Sequence, residues 1–415
     1  MLALMKTKKL QSRNLFKNYF ALLGPAFVAA IAYVDPGNVA TNISAGAQYG
    51  YLLVWVLVLA NAMAALVQYL SAKVGLVTGK SLPEIVAEYL PKPLRILYWL
   101  QAEAVAIATD IAEVLGGAIA LSILFGLPLL VGGIITGIVS LMLLATHSRR
   151  GQKPFERIIM GCLLVIALGF VAGLFVVPLH ASLVLGGLIP RFAGIGSILI
   201  ATGMIGATIM PHVVYLHSAL ARDRQGIVKD SREVKRLLRA TRIDVGTAMI
   251  IAGGVNIAML LVAASVLYGM TGVDTITGAQ AAIALKLGQG IGYLFAIGLL
   301  ASGLASSSVG SYAGAVIMDG LLKIRIPLFV RRVVTLLPAL ALLSFSIEPT
   351  QVLILSQVIL SFGIPFAVIP LILVSCNRRI MGAQVNSQLV AWAASLVTVF
   401  IVILNVGLIG LTFGL

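Results

Sequence analysis

Charge is scarce in this 415-residue chain: Asp, Glu, Lys and Arg make up 10% of it, and only 14 residues are acidic. Cysteine is scarcer still, with two copies, Cys162 and Cys376, in or beside apolar stretches far apart. They form no CxxC pair, which excludes a disulfide framework and a thiolate metal centre. No P-loop, HExxH or GxSxG pattern occurs, so no nucleotide-hydrolysing loop, zincin helix or hydrolase nucleophile is expected. The chain reads as a non-enzyme without a cofactor, and any work it does draws on a gradient rather than on ATP bound to it. What is abundant is apolar surface: 60% of residues are hydrophobic and the mean hydropathy is +1.07. That balance excludes a soluble domain and describes an all-α polytopic membrane protein.

A helix needs about 20 apolar residues to cross a bilayer. Eleven candidates meet that length: 19–46, 50–78, 94–124, 128–147, 156–178, 194–221, 244–268, 288–321, 330–346, 351–375 and 387–411, the first and sixth interrupted. With the N-terminus inside and the spans alternating, 27 of the 29 Lys and Arg fall on the inner side. Only Arg191 and Lys286 fall outside. The positive-inside rule therefore expects the N-terminus in the cytoplasm and the C-terminus outside. It also accounts for the net charge of +15 without nucleic acid. The basic segment 1–18 precedes the first span; a cleavable signal core would not carry Asp35. The stretch 222–242 reads as a solvated, partly helical cytoplasmic loop near anionic lipid.

Two spans carry helix breakers at matching positions. Span 1 reads AAIAYVDPGNVATN (29–42), with a break expected at Asp35-Pro36-Gly37-Asn38. Span 6 reads IGATIMPHVVYLHSAL (205–220), with a break expected at Met210-Pro211-His212. Unwound backbone at membrane depth survives only inside protein or beside a water-filled cavity. Each break is the first span of a five-span half, 19–178 and 194–375, and five spans per half invert the second relative to the first. The pattern points to a 5+5 inverted repeat plus one span (387–411), with substrate bound between the broken helices. Taken singly, each would pass for an ordinary proline kink.

The groups at the breaks specify a ligand class. Asp35 brings a carboxylate, Asn38 an amide oxygen and Met210 a thioether, while the carbonyls of Ala32 and Ala207 precede the breaks. An intramembrane carboxylate implies a cationic partner. An organic cation would call for an aromatic cage, and Tyr33 is the only aromatic close by on the upstream side. A thioether is a poor ligand for Na⁺, Mg²⁺ or Ca²⁺, whereas the mixed set suits Mn²⁺ and Fe²⁺. Elsewhere a Met is by default a gap-filler. In span 10, Gln357 lies before a weak point at Gly363 and Pro365. It serves either the metal or an interhelical hydrogen bond.

Span 3 (YWLQAEAVAIATDIAEVLGG, 98–117) carries Glu103, Asp110 and Glu113 at spacings that share one helical face. Three acids there are costly and read as a proton path, with an ion-pair network as the bland alternative. Arg331 and Arg332 are placed to pair with them. His212 is the natural proton acceptor near the metal, with His217 beyond it. His147 and His180, at span ends, read as surface histidines.

DPGN (35–38) followed by ATN, ATIMPHVVYLHS (207–218), QAEAVAIATDIAE (101–113), RRGQKP (149–154) and LILSQVILSFG (353–363) together resemble the signatures of the Nramp divalent metal transporters over residues 20–411. That resemblance implies a leucine-transporter-type fold with eleven spans. It implies H⁺-coupled import of Mn²⁺ and Fe²⁺, and of Cd²⁺, Co²⁺ or Zn²⁺, by a monomer in a bacterial cytoplasmic membrane. It assigns metal binding to Asp35, Asn38, Met210 and the Ala207 carbonyl, with the Ala32 carbonyl and Gln357 joining in some states. It assigns proton movement or its salt-bridge network to Asp35, His212, Glu103, Asp110, Glu113 and Arg332. Relatives carrying Mg²⁺ or Al³⁺ lack the methionine, which disfavours that branch. Val39 stands where many members have Phe. Two other readings remain, a sodium-coupled carrier of small organic solutes on the same fold and a passive metal channel.

Overall fold

Lipid offers no hydrogen bonds, so a chain this apolar must satisfy its backbone internally, and helices do so. The computed structural model describes residues 24–413 except 227, 229 and 346, with side chains to residue 407. The basic segment 1–18 and the start of the first expected span lie outside the described residues. All regular elements among the described residues are helical. Among the described residues, nine helices are long and apolar enough to cross a membrane, with the sixth expected span, Ile195–Gln225, taken as one. The other two expected spans are helical but shorter. The first is split into Pro25–Ala32 (α1) and Pro36–Tyr49 (α2). The ninth, Leu328–Leu343 (α9), has 16 residues.

The remaining elements around the centre are Val54–Thr78 (α3), Lys92–Phe125 (α4), Ile195–Thr208 (α5), Pro211–Gln225 (α6), Ser231–Val266 (α7), Gln289–Leu322 (α8) and Pro349–Ser375 (α10). Gln388–Phe413 (α11) is the last described element. At about 1.5 Å per residue, the 34-residue α4 outruns a ~30 Å hydrocarbon core and must tilt or protrude. The helix of the seventh span begins at Ser231, so much of the basic stretch 222–242 extends that helix. Span ends such as Gly79 and Gly126 adopt the left-handed conformation that glycine tolerates, closing α3 and α4.

Polarity is arranged inside out. Leu164, Leu168, Leu389 and Trp392 are exposed, as lipid-facing side chains are, whereas Asp35, Asn38, Glu113, Arg332 and Gln357 are fully buried. The helices close on this polar centre through small residues. A Cβ built on Gly116 of α4 would lie 2.1 Å from the Pro36 Cβ, and one on Gly303 of α8 would lie 2.8 Å from the Glu113 carbonyl oxygen. So α4 abuts the first break, and α8 packs closely against α4. Two expectations change. α10 runs unbroken through Gly363, Pro365 and Pro370, so no weak point interrupts it. His147 is not a free surface histidine: its ring lies 4.3 Å from that of Tyr312 and 5.4 Å from that of Phe155. His180 is exposed, as expected.

Candidate functional site

Both interruptions lie one step earlier than the breakers suggested. The non-helical residues are 33–35 in the first span and 209–210 in the sixth. Pro36 and Pro211 are the first residues of α2 and α6, and Gly37, Asn38 and His212 are already helical. The reason is that proline lacks an N–H that the first turn would leave unpaired anyway, and its φ is preset for a helix. The prolines therefore start the second half-helices, and the unwound residues precede them.

At the first break, Asp35 caps α2. Its Oδ1 accepts from the Asn38 backbone N–H and from Asn38 Nδ2, each at 2.8 Å. The two carbonyls freed after Ala32 are held by side chains from distant helices. Asn256 of α7 donates to Tyr33 O at 2.7 Å, and Ser302 of α8 donates to Val34 O at 2.6 Å. Asn256 is itself held by Asn42 Nδ2, which donates to its Oδ1 at 2.8 Å. Tyr33 is buried, and Gln68 donates to its hydroxyl, so this ring is tied down rather than left to form a cage.

At the second break, Met210 caps α6 with no side-chain hydrogen bond and is fully buried. The carbonyl of Ala207 accepts from Asn38 Nδ2 at 3.0 Å, and Ala32 O lies 3.5 Å from the same nitrogen. One amide nitrogen thus sits among three acceptors: a carboxylate oxygen and the last-turn carbonyls of α1 and α5. Helix C-termini carry partial negative charge, so this is a place prepared for positive charge. Gln357 reaches it from α10, since a Cβ on Gly37 would overlap the Gln357 side-chain amide. Its Nε2 donates to Ser356 Oγ at 3.1 Å. Asp35 Oδ2, Asn38 Oδ1 and Gln357 Oε1 are buried acceptors without a hydrogen-bond partner among the described residues. Such groups are costly unless something satisfies them. Neither nitrogen of His212 has a hydrogen-bond partner among the described residues. His217, one and a half turns on, shares its Nδ1 with Gln68 Oε1 at 2.6 Å.

The acids of α4 are unequal. Arg331 of α9 grips Glu103 with both terminal nitrogens at 2.9 Å. The next residue, Arg332, donates to Asp110 at 2.9 Å, to Ser140 Oγ at 3.0 Å and to Ser307 Oγ. Glu113 is fully buried, and both of its oxygens lack a hydrogen-bond partner among the described residues. It lies against the backbone of α8, where a Cβ on Gly310 would come within 3.0 Å of Glu113 Oε2.

Residues 26–411 match the family profile of Nramp, described as natural resistance-associated macrophage protein-like. The chain belongs to the Nramp family. It is a multi-pass membrane transporter and not an enzyme. It is 60% identical over 401 residues to a divalent metal cation transporter MntH of Mycobacterium tuberculosis, covering 97% of this chain and 94% of that one. It is 47% identical to the Bacillus subtilis MntH, covering 96% and 94%. A crystal structure of the Eremococcus coleocola manganese transporter superposes with a TM-score of 0.85 at 30% identity, covering 94% of this chain and 86% of that one. A nucleobase-cation symporter, Mhp1, shares the fold alone, with a TM-score of 0.59 at 16% identity.

In this Nramp chain, Asp35, Asn38, Ala32 O, Ala207 O and Gln357 lie at one centre between the half-helices, with Met210 at the adjoining break. Glu103 and Asp110 pair with Arg331 and Arg332 of α9, and Glu113 and His212 are buried with no hydrogen-bond partner among the described residues. Asn256, Ser302 and Gln68 are the positioning residues that sequence reasoning passed over. The one signal is an amide or hydroxyl within a long apolar helix, which reads equally well as any interhelical hydrogen bond.

Proposed function

We propose that this Nramp transporter imports a divalent transition metal, Mn²⁺ or Fe²⁺ and with them Cd²⁺, Co²⁺ or Zn²⁺, together with H⁺ by alternating access. The observation that carries the metal reading is the set of orphaned acceptors Asp35 Oδ2, Asn38 Oδ1 and Gln357 Oε1 beside two helix C-termini, with Met210 at the adjoining break. A divalent cation would satisfy them, and the sulfur favours softer metals over Ca²⁺ and Mg²⁺. Asp35, Asn38, Met210 and Ala207 O would bind the metal, with Ala32 O and Gln357 joining in some states. A half-turn of the Asn38 amide exchanges nitrogen for oxygen at the point where the acceptors converge. The relatives, a divalent metal cation transporter and a manganese transporter, agree with this reading.

Proton coupling rests on the unpartnered Glu113 and His212 near the first and second breaks. A buried acid and a buried imidazole without partners are groups that can exchange protons rather than hold a fold. Asp35, His212, Glu103, Asp110, Glu113 and Arg332 form the proposed route. We place the chain as a monomer in the bacterial cytoplasmic membrane with its N-terminus inside. The test is Mn²⁺ uptake into proteoliposomes with and without an inward proton gradient. A gradient should raise uptake, and metal entry should acidify the lumen. Uptake that ignored the proton gradient would remove the symport reading, and dependence on Na⁺ instead would favour the sodium-coupled alternative.

A further inference from the structure

Away from the central site, four cations surround one cavity of about 400 Å³ with no carboxylate in its lining. Lys235, Arg239 and Arg242 project from the basic extension of α7. Their spacing of four and then three residues puts them on one face. Lys73 comes from the end of α3 and Asn386 and Ser387 from the segment leading into α11. Lys73 is only 7% exposed, and its one hydrogen-bond partner among the described residues is the neutral Asn386 Oδ1 at 2.7 Å. Asn386 is fixed in turn by its N–H to Ser375 O at 3.1 Å and by Nδ2 to Ser375 Oγ at 2.9 Å. A buried ammonium held by a neutral amide lacks a counter-charge. Arg242 lies over the Tyr69 ring, 5.2 Å from its centroid, and no acid pairs with it, with Arg239 or with Lys235 among the described residues. The first turn of α11 adds the positive end of a helix beside Ser387.

We infer that this cavity binds a phosphate-bearing anion, and that its occupant is the headgroup of an anionic phospholipid. Lys73 and the α7 cations would take the phosphate, and Asn386 and Ser387 its oxygens or glycerol hydroxyls. The lipid source is favoured by what adjoins the cavity: Leu389 and Trp392, on the first turns of α11, are 80% and 76% exposed. Apolar side chains and an interfacial Trp there would carry an acyl chain. The positive-inside arrangement puts this end of the bundle at the cytoplasmic leaflet, where anionic lipid lies. The inference stands whether or not protons accompany the metal.

Full-length protein purified in a neutral detergent would be titrated with dioleoylphosphatidylglycerol, dioleoylphosphatidylcholine or inorganic phosphate. Thermal stability and bound lipid by native mass spectrometry are the readouts. Phosphatidylglycerol should bind and stabilise, and phosphatidylcholine should not. The double variant Arg239→Gln/Arg242→Gln, altering two exposed side chains that should not affect folding, should weaken phosphatidylglycerol binding by about tenfold or more. A control, Arg232→Gln/Arg236→Gln, removes the same charge from the same helix outside the cavity and should leave binding near wild type. Equal losses in both pairs would reduce the effect to diffuse charge and overturn the site. Equal binding of both lipids would overturn it as well. Protection by inorganic phosphate matching that by phosphatidylglycerol would overturn the lipid assignment and leave a free phosphate anion as occupant.

Discussion

The two interruptions of the membrane helices are built differently, although both begin their second half with proline. The first is tied down by polar chemistry. Asp35 caps its own half-helix, and Asn256 and Ser302 hold the carbonyls of Tyr33 and Val34. The second has no side-chain cap at Met210, and its Ala207 carbonyl is satisfied by Asn38 of the first. One break therefore supplies charge and a rigid frame, and the other supplies a soft atom and depends on its partner for a hydrogen bond. The division teaches that neither break is complete by itself: the Ala207 carbonyl of the second accepts its hydrogen bond from the Asn38 amide of the first.

Breaking the charged side should have the largest effect. Asp35→Ala should abolish saturable Mn²⁺ binding, a loss above about 100-fold in affinity measured by isothermal titration. It removes the Asp35 carboxylate and the cap of α2 together. Asp35→Asn separates these roles, since the amide oxygen can still cap. It should fold with near wild-type stability and still fail to bind. A mutant that bound Mn²⁺ normally would move the metal site elsewhere.

The frame comes next. Asn256→Ala leaves the buried carbonyl of Tyr33 and the Asn42 amide without partners. An unsatisfied buried polar group costs about 1–3 kcal/mol, so thermal unfolding in detergent should begin several degrees lower. Asn256→Asp keeps an acceptor for Asn42 and loses the donor to Tyr33 O. If Asn256→Ala matched wild type in both stability and transport, the first break would not depend on its clamp.

Much of this architecture could be read before any coordinates. Hydropathy finds the spans, because a bilayer demands long apolar helices. The pairing of DPGN with MPH finds the two breaks, because proline and glycine disrupt helices by local rules. The stripe Glu103–Asp110–Glu113 and its arginines follow from helical spacing and the cost of charge. The misreadings have equally physical sources. Breakers read as gaps, whereas proline at the first helical position starts a helix and the gap precedes it. Asn256 and Ser302 were passed over because a clamp acts across more than two hundred residues of sequence in both cases, and nothing local marks it. The split within the acid stripe was invisible for a similar reason. Three acids of one face look alike until α9 delivers two guanidinium groups to Glu103 and Asp110 and none to Glu113.

The soft side gives the smallest and most informative effect. Met210→Leu conserves volume and apolar character, so it should cost less than about 1.5 kcal/mol in stability. It deletes only the sulfur, from a residue with no side-chain hydrogen bond to lose. Oxygen donors alone bind Mn²⁺ and Ca²⁺ through the same hard contacts, so the variant should keep Mn²⁺ binding while Ca²⁺ gains as a competitor. The expected change is about tenfold in the Ca²⁺ concentration that halves Mn²⁺ uptake, with Cd²⁺ losing more than Mn²⁺ because it is softer. The two breaks then make opposite forecasts. Altering the first should abolish binding of every metal alike, and altering the second should reorder the metals while binding persists. Unchanged Ca²⁺ competition in Met210→Leu would mean that the thioether merely fills space, and discrimination would have to come from the oxygen donors and the rigidity of the first break.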